Sequence, residues 1–219
     1  VGGVGGRGST RVGEVGALPE SLIFIGAGYI GAELAQMMSR MGVKVTLVTR
    51  SHLLPGAEPE VSEALTDAFA AEGITLLTGL SYVNVRRDAS GVTLRVMQGG
   101  EPVEVTADHI VSTAGRRANT DGMGLDEVGV KTDARGSIVI GDDMQTSVPG
   151  IYAAGDVTDR DQFVYMAAYG AKLAVKNAIL GDDQRYDNSD MPWVVFSDPQ
   201  VAGVGLSEQQ ARDAGFDVK

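Results

Sequence analysis

The chain has 219 residues with ordinary apolar and charged fractions, enough to bury a sizeable core as one or two globular units. Its formal charge of −11, with the 18 basic residues scattered instead of forming a stripe, argues against nucleic acid as a partner. No apolar run approaches the ~18 residues of a membrane span and no signal peptide opens the sequence, so no membrane partner and a cytoplasmic location are expected.

Zero cysteine removes disulfides, thiolate nucleophiles and cysteine-ligated zinc together. His52 and His109 stand far apart without metal-ligand spacing, so both read as polar surface residues and no metal site is expected.

In chain order, Val1 to Gly16 is glycine-rich without apolar periodicity and reads as a flexible lead-in, or as the edge of a chain cut from something longer. Leu22-Ile23-Phe24-Ile25 has the form of a buried parallel strand. Ile30, Leu34, Met37, Met38 and Met41 recur at helical spacing from Tyr29 onward, and Gly42 supplies the stop. Val43 to Val48 is a second strand, which completes a strand-helix-strand unit of about thirty residues, the length a parallel crossover needs.

A helix is predicted from about Pro59 to Glu72, with Val61, Leu65, Ala68 and Phe69 on one side, and then a strand at Ile74 to Leu77. Tyr82–Arg87, Val92–Met97 and Val103–Thr106 are short strand-like runs separated by turn residues, an antiparallel meander, and Asp108 to Thr113 returns to an apolar strand. Ile138 to Ile140, a strand at Gly150 to Ala154 and an alanine-rich helix from about Phe163 to Leu180 form a further unit. Beyond Asp182 only a strand-like run at Trp193 to Phe196 and a helix start at Ser207-Glu208 stand out. A tail this short either packs on what precedes it or begins another domain.

Gly26-Ala27-Gly28-Tyr29-Ile30-Gly31 is GxGxxG between a strand and a helix, the setting that dinucleotide recognition requires. Gly26 allows the tight turn, Gly28 lets the backbone approach a pyrophosphate, and Gly31 lets the helix lie close on the strand. At the end of the second strand, where an acidic residue would accept from ribose hydroxyls, the sequence reads Thr49-Arg50. A guanidinium there suits a 2′-phosphate, so NADPH is favoured and NADH stays possible; the plainer reading of Arg50 is a solvated charge. Tyr29 and Glu33 share a helix face and could both meet the nicotinamide, or could serve only packing and the helix dipole. Asp156, after Gly155 at a strand end, suits a polyol ligand, or caps the helix that follows.

In order and spacing, GAGYIGAELA, STAGRRANT and GIYAAGD resemble the class I pyridine nucleotide:disulfide oxidoreductases over nearly everything from Pro19 onward. The stretches Asp161–Tyr165 and Met191–Ala202 look most like mercuric reductases, although the second type occurs in several branches of the family. The resemblance implies an α/β fold: a Rossmann-like NAD(P)-binding domain with an antiparallel β-meander, the C-terminal part of an FAD-binding domain and the start of an interface domain. It sets expected boundaries at 1–18 for the lead-in, 19–113, 114–186 and 187–219.

By the same resemblance, Tyr29 looks like an aromatic gate over the flavin and Glu33 like a glutamate that contacts a flavin-side lysine. Gly115, in the stretch that returns the chain to the flavin domain, and Gly155-Asp156, which matches the ribityl-binding motif, join the cofactor-binding set. Ala118 replaces the usual proline of that stretch. The resemblance further implies FAD as cofactor, a small-molecule or metal-ion substrate, and a homodimeric parent that passes hydride from NADPH to FAD, then to a dithiol and Hg(II). A dihydrolipoamide dehydrogenase would be the alternative, and so would a nucleotide-binding module without turnover. The family's first FAD glycine motif and its CxxxxC pair lie upstream of the segment matched here, and neither is in this sequence, which therefore reads as a fragment.

Overall fold

A computed structural model describes residues 7–9, 12 and 16–218. They fall into two compact units, one reaching Gly115 and resumed from Met191, the other Arg116–Asp190.

The first unit is built on a five-stranded parallel sheet. In chain order its strands are β1 (Arg7–Gly8), β2 (Ser21–Ile25), β3 (Lys44–Val48), β4 (Thr75–Leu77) and β8 (His109–Ser112), and they lie side by side as β1-β8-β2-β3-β4. Helices α1 (Tyr29–Arg40) and α2 (Pro59–Ala71) make the crossovers β2-α1-β3 and β3-α2-β4. The unbroken apolar run of β2 has a plain cause, since a central parallel strand is buried on both faces. Leu22 and Phe24 join Val45, Leu47, Leu65, Phe69 and Val111 in one core, while Ile23 and Ile25 join Val48, Ile110, Leu94 and Val96 in another.

That second face is covered by the expected meander, β5 (Leu80–Asp88), β6 (Gly91–Gln98) and β7 (Glu101–Ala107). Gly99 and Gly100 both take positive φ, at 60° and 89°, as the tight β6–β7 turn demands. Within α1 the buried positions are Gly31, Ala32, Ala35, Gln36 and Met38, while Met37 and Met41 are exposed. Close seating on the sheet selects small residues, so the apolar spacing in the sequence only partly traces the buried stripe.

Arg7–Gly8 lies inside the stretch read as a flexible lead-in, yet it pairs in parallel with Val111 and Ser112. The edge of β8 offers backbone donors and acceptors whatever the side chains of the incoming strand. Most of that stretch lies outside the described residues.

Residues from Met191 onward pack on this unit. The hairpin β9 (Pro192–Val195) and β10 (Val201–Val204) contributes Val195 and Val201 to the core beneath α1. The helix start expected at Ser207 is a capping box with Gln210, and it opens α4 (Glu208–Asp213).

The second unit holds α3 (Val164–Val175), extended by a π-turn over Lys176–Leu180 and ended by Gly181 at φ 70°. Its small core is Met144, Leu173 and Ala174. The strand expected at Gly150–Ala154 is a correction: among the described residues this stretch and Ile138–Ile140 make only isolated bridges, Thr132 with Ile138, Ile140 with Thr146 and Gln145 with Tyr152. The Thr146 N–H donates to Ile151 and the Ala153 N–H to Met144, so pairing is spent inside a short loop and no ladder extends from it.

Candidate functional site

Each glycine of the turn between β2 and α1 meets a different constraint. Gly26 sits at φ 102°, and a Cβ there would come within 2.8 Å of the Thr113 carbonyl and 2.9 Å of the Ala114 backbone. A Cβ on Gly31 would lie 2.0 Å from the Gly26 carbonyl oxygen, so α1 can approach β2 only with hydrogen at this position. Gly28 differs from both. Its backbone is ordinary and extended, and nothing lies within 4 Å of an added Cβ. The space above it is open.

The same turn is braced from the neighbouring strands. The Gly26 N–H donates to Val48 at 2.9 Å, and the Thr113 N–H donates to Ile25 at 2.8 Å. The Thr113 hydroxyl is within hydrogen-bond distance of the Ile25 and Gly26 carbonyls, at 2.9 and 2.7 Å. The loop after β3 folds back over the turn, with the Leu54 N–H donating to Ala27 at 2.8 Å while Leu54 holds a positive φ of 49°. A helix start leaves its first N–H groups without intrahelical carbonyls. Gly28 provides no side-chain cap and the first turn of α1 carries no acidic residue, so the N-terminus presents partial positive charge to an anion.

Tyr29, the first residue of α1, stacks on Trp193 of β9, with ring centroids 5.9 Å apart and planes 11° from parallel. Burial raises its phenol pKa. Glu33 lies one turn on, beyond the first turn of the helix, and its carboxylate accepts from the Phe196 N–H at 2.9 Å. Tyr29 and Glu33 thus share a face, and that face meets residues 193–196.

At the end of β3, Thr49 is buried and Arg50 is exposed. The Tyr82 hydroxyl donates to the Val48 carbonyl at 3.3 Å. Burial raises the Tyr82 phenol pKa, and the positive charge of Arg50 opposes that rise, which places Arg50 in the electrostatic reach of this phenol.

Gly115 ends the first unit's main segment in an exposed turn at φ 108°. In the second unit Gly155 takes φ 81° and a Cβ there would lie 3.1 Å from the Cβ of Ala167. Asp156 opens a short 3-10 turn, and its carboxylate pairs with Arg116 at 3.0 Å. It does not cap α3, whose N-cap is Phe163. Among the described residues no group of three or more His, Cys, Asp or Glu could hold a metal ion, and no helix is long and apolar enough to cross a membrane.

Thr113, Trp193 and Tyr82 belong to this geometry, and the sequence reading assigned none of them a role in it, although Thr113 and Trp193 stand in stretches that carry the resemblance. Thr113 could have been found from the strand register, because β8 ends level with β2. Trp193 and Tyr82 carry no local signal, since Trp193 reaches Tyr29 and Tyr82 reaches the end of β3 from remote elements.

A glycine turn between a central parallel strand and a helix without a side-chain cap is the arrangement found in α/β dinucleotide-binding folds. Residues 7–174 match the family described as pyridine nucleotide-disulphide oxidoreductase, and the chain belongs to that family. It is 42% identical over 208 residues to a mercuric reductase of Streptomyces lividans, covering 95% of this chain and 44% of that protein. It is also 37% identical over 211 residues to a dihydrolipoyl dehydrogenase of Geobacillus stearothermophilus, covering 96% and 45%.

Among solved structures, LpdA from Mycobacterium tuberculosis superposes with a TM-score of 0.83 at 31% identity, over 95% of this chain and 45% of that one. The Cu(II) complex of the HOCl-induced flavoprotein disulfide reductase RclA from Escherichia coli gives 0.89 at 26% identity, over 100% and 50%. The chain therefore spans less than half the length of these curated relatives.

Proposed function

We propose that this chain is the pyridine-nucleotide-binding part of an FAD-dependent oxidoreductase of mercuric reductase type, with NADPH as electron donor and Hg(II) as substrate of the whole enzyme. The single observation that carries the nucleotide site is the open cradle at Gly28, beside a helix start without a side-chain cap. This donor set fits a pyrophosphate, with Gly26 and Gly31 enforcing the turn and Gly28 leaving room for it. Arg50, exposed beside a buried and uncharged Thr49, fits a 2′-phosphate and presents no carboxylate to repel it.

Gly115, Gly155 and Asp156 are the residues we assign to FAD. The Asp156 carboxylate, half exposed and already paired with Arg116, fits a polyol hydroxyl, as one portion of a flavin site. When bound, NADPH and FAD supply the hydride chemistry. The chain's own residues hold the diphosphate, orient the nicotinamide and exclude water, with Tyr29 as a movable cover and Glu33 fixing the strand beside it. Reduction of a dithiol and then of Hg(II) needs cysteines that this sequence does not contain. The whole enzyme is expected to act as a homodimer in the cytoplasm.

The dihydrolipoyl dehydrogenase reading is favoured by one observation, the 37% identity to such an enzyme, and it predicts preference for NADH. Calorimetric titration of this chain with each nucleotide separates the two. Tighter binding of NADPH supports the mercuric reductase type, whereas equal or tighter binding of NADH removes the 2′-phosphate site and favours the alternative.

A further inference from the structure

We propose that the segment 184–188 is a clasp on the loop between Asp156 and α3, and that Tyr186 is thereby a positioning residue for the flavin; this rests on the reading of Asp156 as a flavin residue. The loop runs from the short 3-10 turn Asp156–Thr158 to the start of α3 at Val164. Within it Asp159 and Asp161 hold φ of 56° and 33°, a left-handed backbone that residues other than glycine keep only where surrounding contacts enforce it. Those contacts are side-chain bonds. Asp159 accepts from Arg135 and Gln162, at 2.8 and 2.9 Å. One oxygen of the Asp161 carboxylate accepts from the Tyr186 hydroxyl at 3.0 Å and from the Asn188 amide at 2.8 Å.

The clasp is itself anchored at points other than Asp161. Asn177, buried in the π-turn, donates to the Gln184 carbonyl and accepts from the Gln184 N–H, both at 2.9 Å. The Tyr186 N–H donates to the Asp142 carbonyl at 2.7 Å, and the Asp187 N–H to the Tyr169 hydroxyl at 3.2 Å. The Tyr186 ring packs on Tyr169 of α3, with centroids 5.2 Å apart, and lies under the Arg160 guanidinium at 5.4 Å. Burial and the bond to Asp161 both push its phenol up, so the hydroxyl remains a donor throughout the neutral range. Removing that oxygen alone keeps the ring contacts and loosens the loop at Asp161, five residues from Asp156. A ligand that needs one arrangement of the loop is weakened by the fraction of time the loop spends in others.

Tyr186→Phe, which keeps the ring, tests this in the full chain. Without flavin, hydrogen exchange should quicken about two- to tenfold over residues 157–163, the range of one hydrogen bond, and stay unchanged over 173–175 of α3 and over 26–34. FAD binding, read from quenching of flavin fluorescence, should weaken about two- to tenfold by the same bond. Asn188→Ala, which removes the other donor to the same oxygen, should act in the same direction. Unchanged exchange over 157–163 overturns the clasp, and so does a speeding that spreads evenly to 173–175, as a merely structural residue would give. Faster exchange with unaltered FAD affinity removes Tyr186 from flavin positioning. If the wild-type chain takes up no FAD, Asp156 fails as a flavin residue and the positioning role fails with it, whatever the exchange shows.

Discussion

Gly28 and Gly31 belong to one motif but answer to different physics, which makes their substitutions separable. Gly31→Ala drives a methyl into the Gly26 carbonyl, 2.0 Å away. It should cost about 1–3 kcal/mol or more of folding stability, as overpacking does, read from the urea midpoint. Gly28→Ala has open space and an ordinary backbone, so its urea midpoint should match wild type while NADPH affinity falls at least about tenfold, the equivalent of a diphosphate contact of ~1.4 kcal/mol. Arg50→Ala should weaken NADPH about ten- to a hundredfold, the range of a charge-assisted hydrogen bond, and NADH less than about twofold. Equal losses in calorimetry would remove Arg50 from the 2′-phosphate site. At this scale the turn was legible in the sequence, because the positive φ of Gly26 and the close helix approach at Gly31 each leave a glycine behind. Thr113 was less so: its hydroxyl braces two carbonyls of the turn from a strand about ninety residues away, a distance that no local pattern crosses.

Among the elements, the β9–β10 hairpin is attached to the nucleotide unit by side chains of α1. Buried Gln36 donates to the Asp198 carbonyl at 2.7 Å and to Glu72 at 2.8 Å, and accepts from the Asp198 N–H at 2.8 Å. Arg40 pairs with both Glu72 and Asp198. Gln36→Ala should therefore cost about 1–3 kcal/mol and speed hydrogen exchange of the Asp198 amide; an unchanged exchange rate would show that the hairpin is held by its apolar contacts alone. The Arg40 guanidinium, by its hydrogen bond, holds the Glu72 carboxyl below its ordinary value. A depressed carboxyl contributes stability above its unfolded pKa and loses it as pH falls through the folded one. Protection of the Asp198 amide should accordingly persist at neutral pH and decline only on acidification below the usual glutamate range.

The parallel strands, the crossover helices and the meander were legible element by element, since period and turn residues agree there. The second unit was less so. Ile138–Ile140 and Gly150–Ala154 have strand composition, but a strand is a property of its neighbours, and these stretches find only single bridges.

For the whole molecule, a chain with zero cysteine cannot carry electrons through a dithiol. Mixed with NADPH, FAD and Hg(II), this chain alone should show no mercury-dependent oxidation of NADPH above the protein-free rate at 340 nm; a clear excess would mean that the residues described here do more than bind. Family membership rests on residues 7–174, and the chain spans 44% and 45% of the two curated relatives. The central claim is that a pyridine nucleotide lies on the Gly26–Gly31 turn with its adenosine end at Arg50. Hydrogen exchange of the full chain with and without saturating NADPH tests it most directly. Slowed exchange is expected over residues 26–34 and 49–54, with little change across the β5–β7 meander. Protection confined to other segments, with these two unaffected, would contradict it.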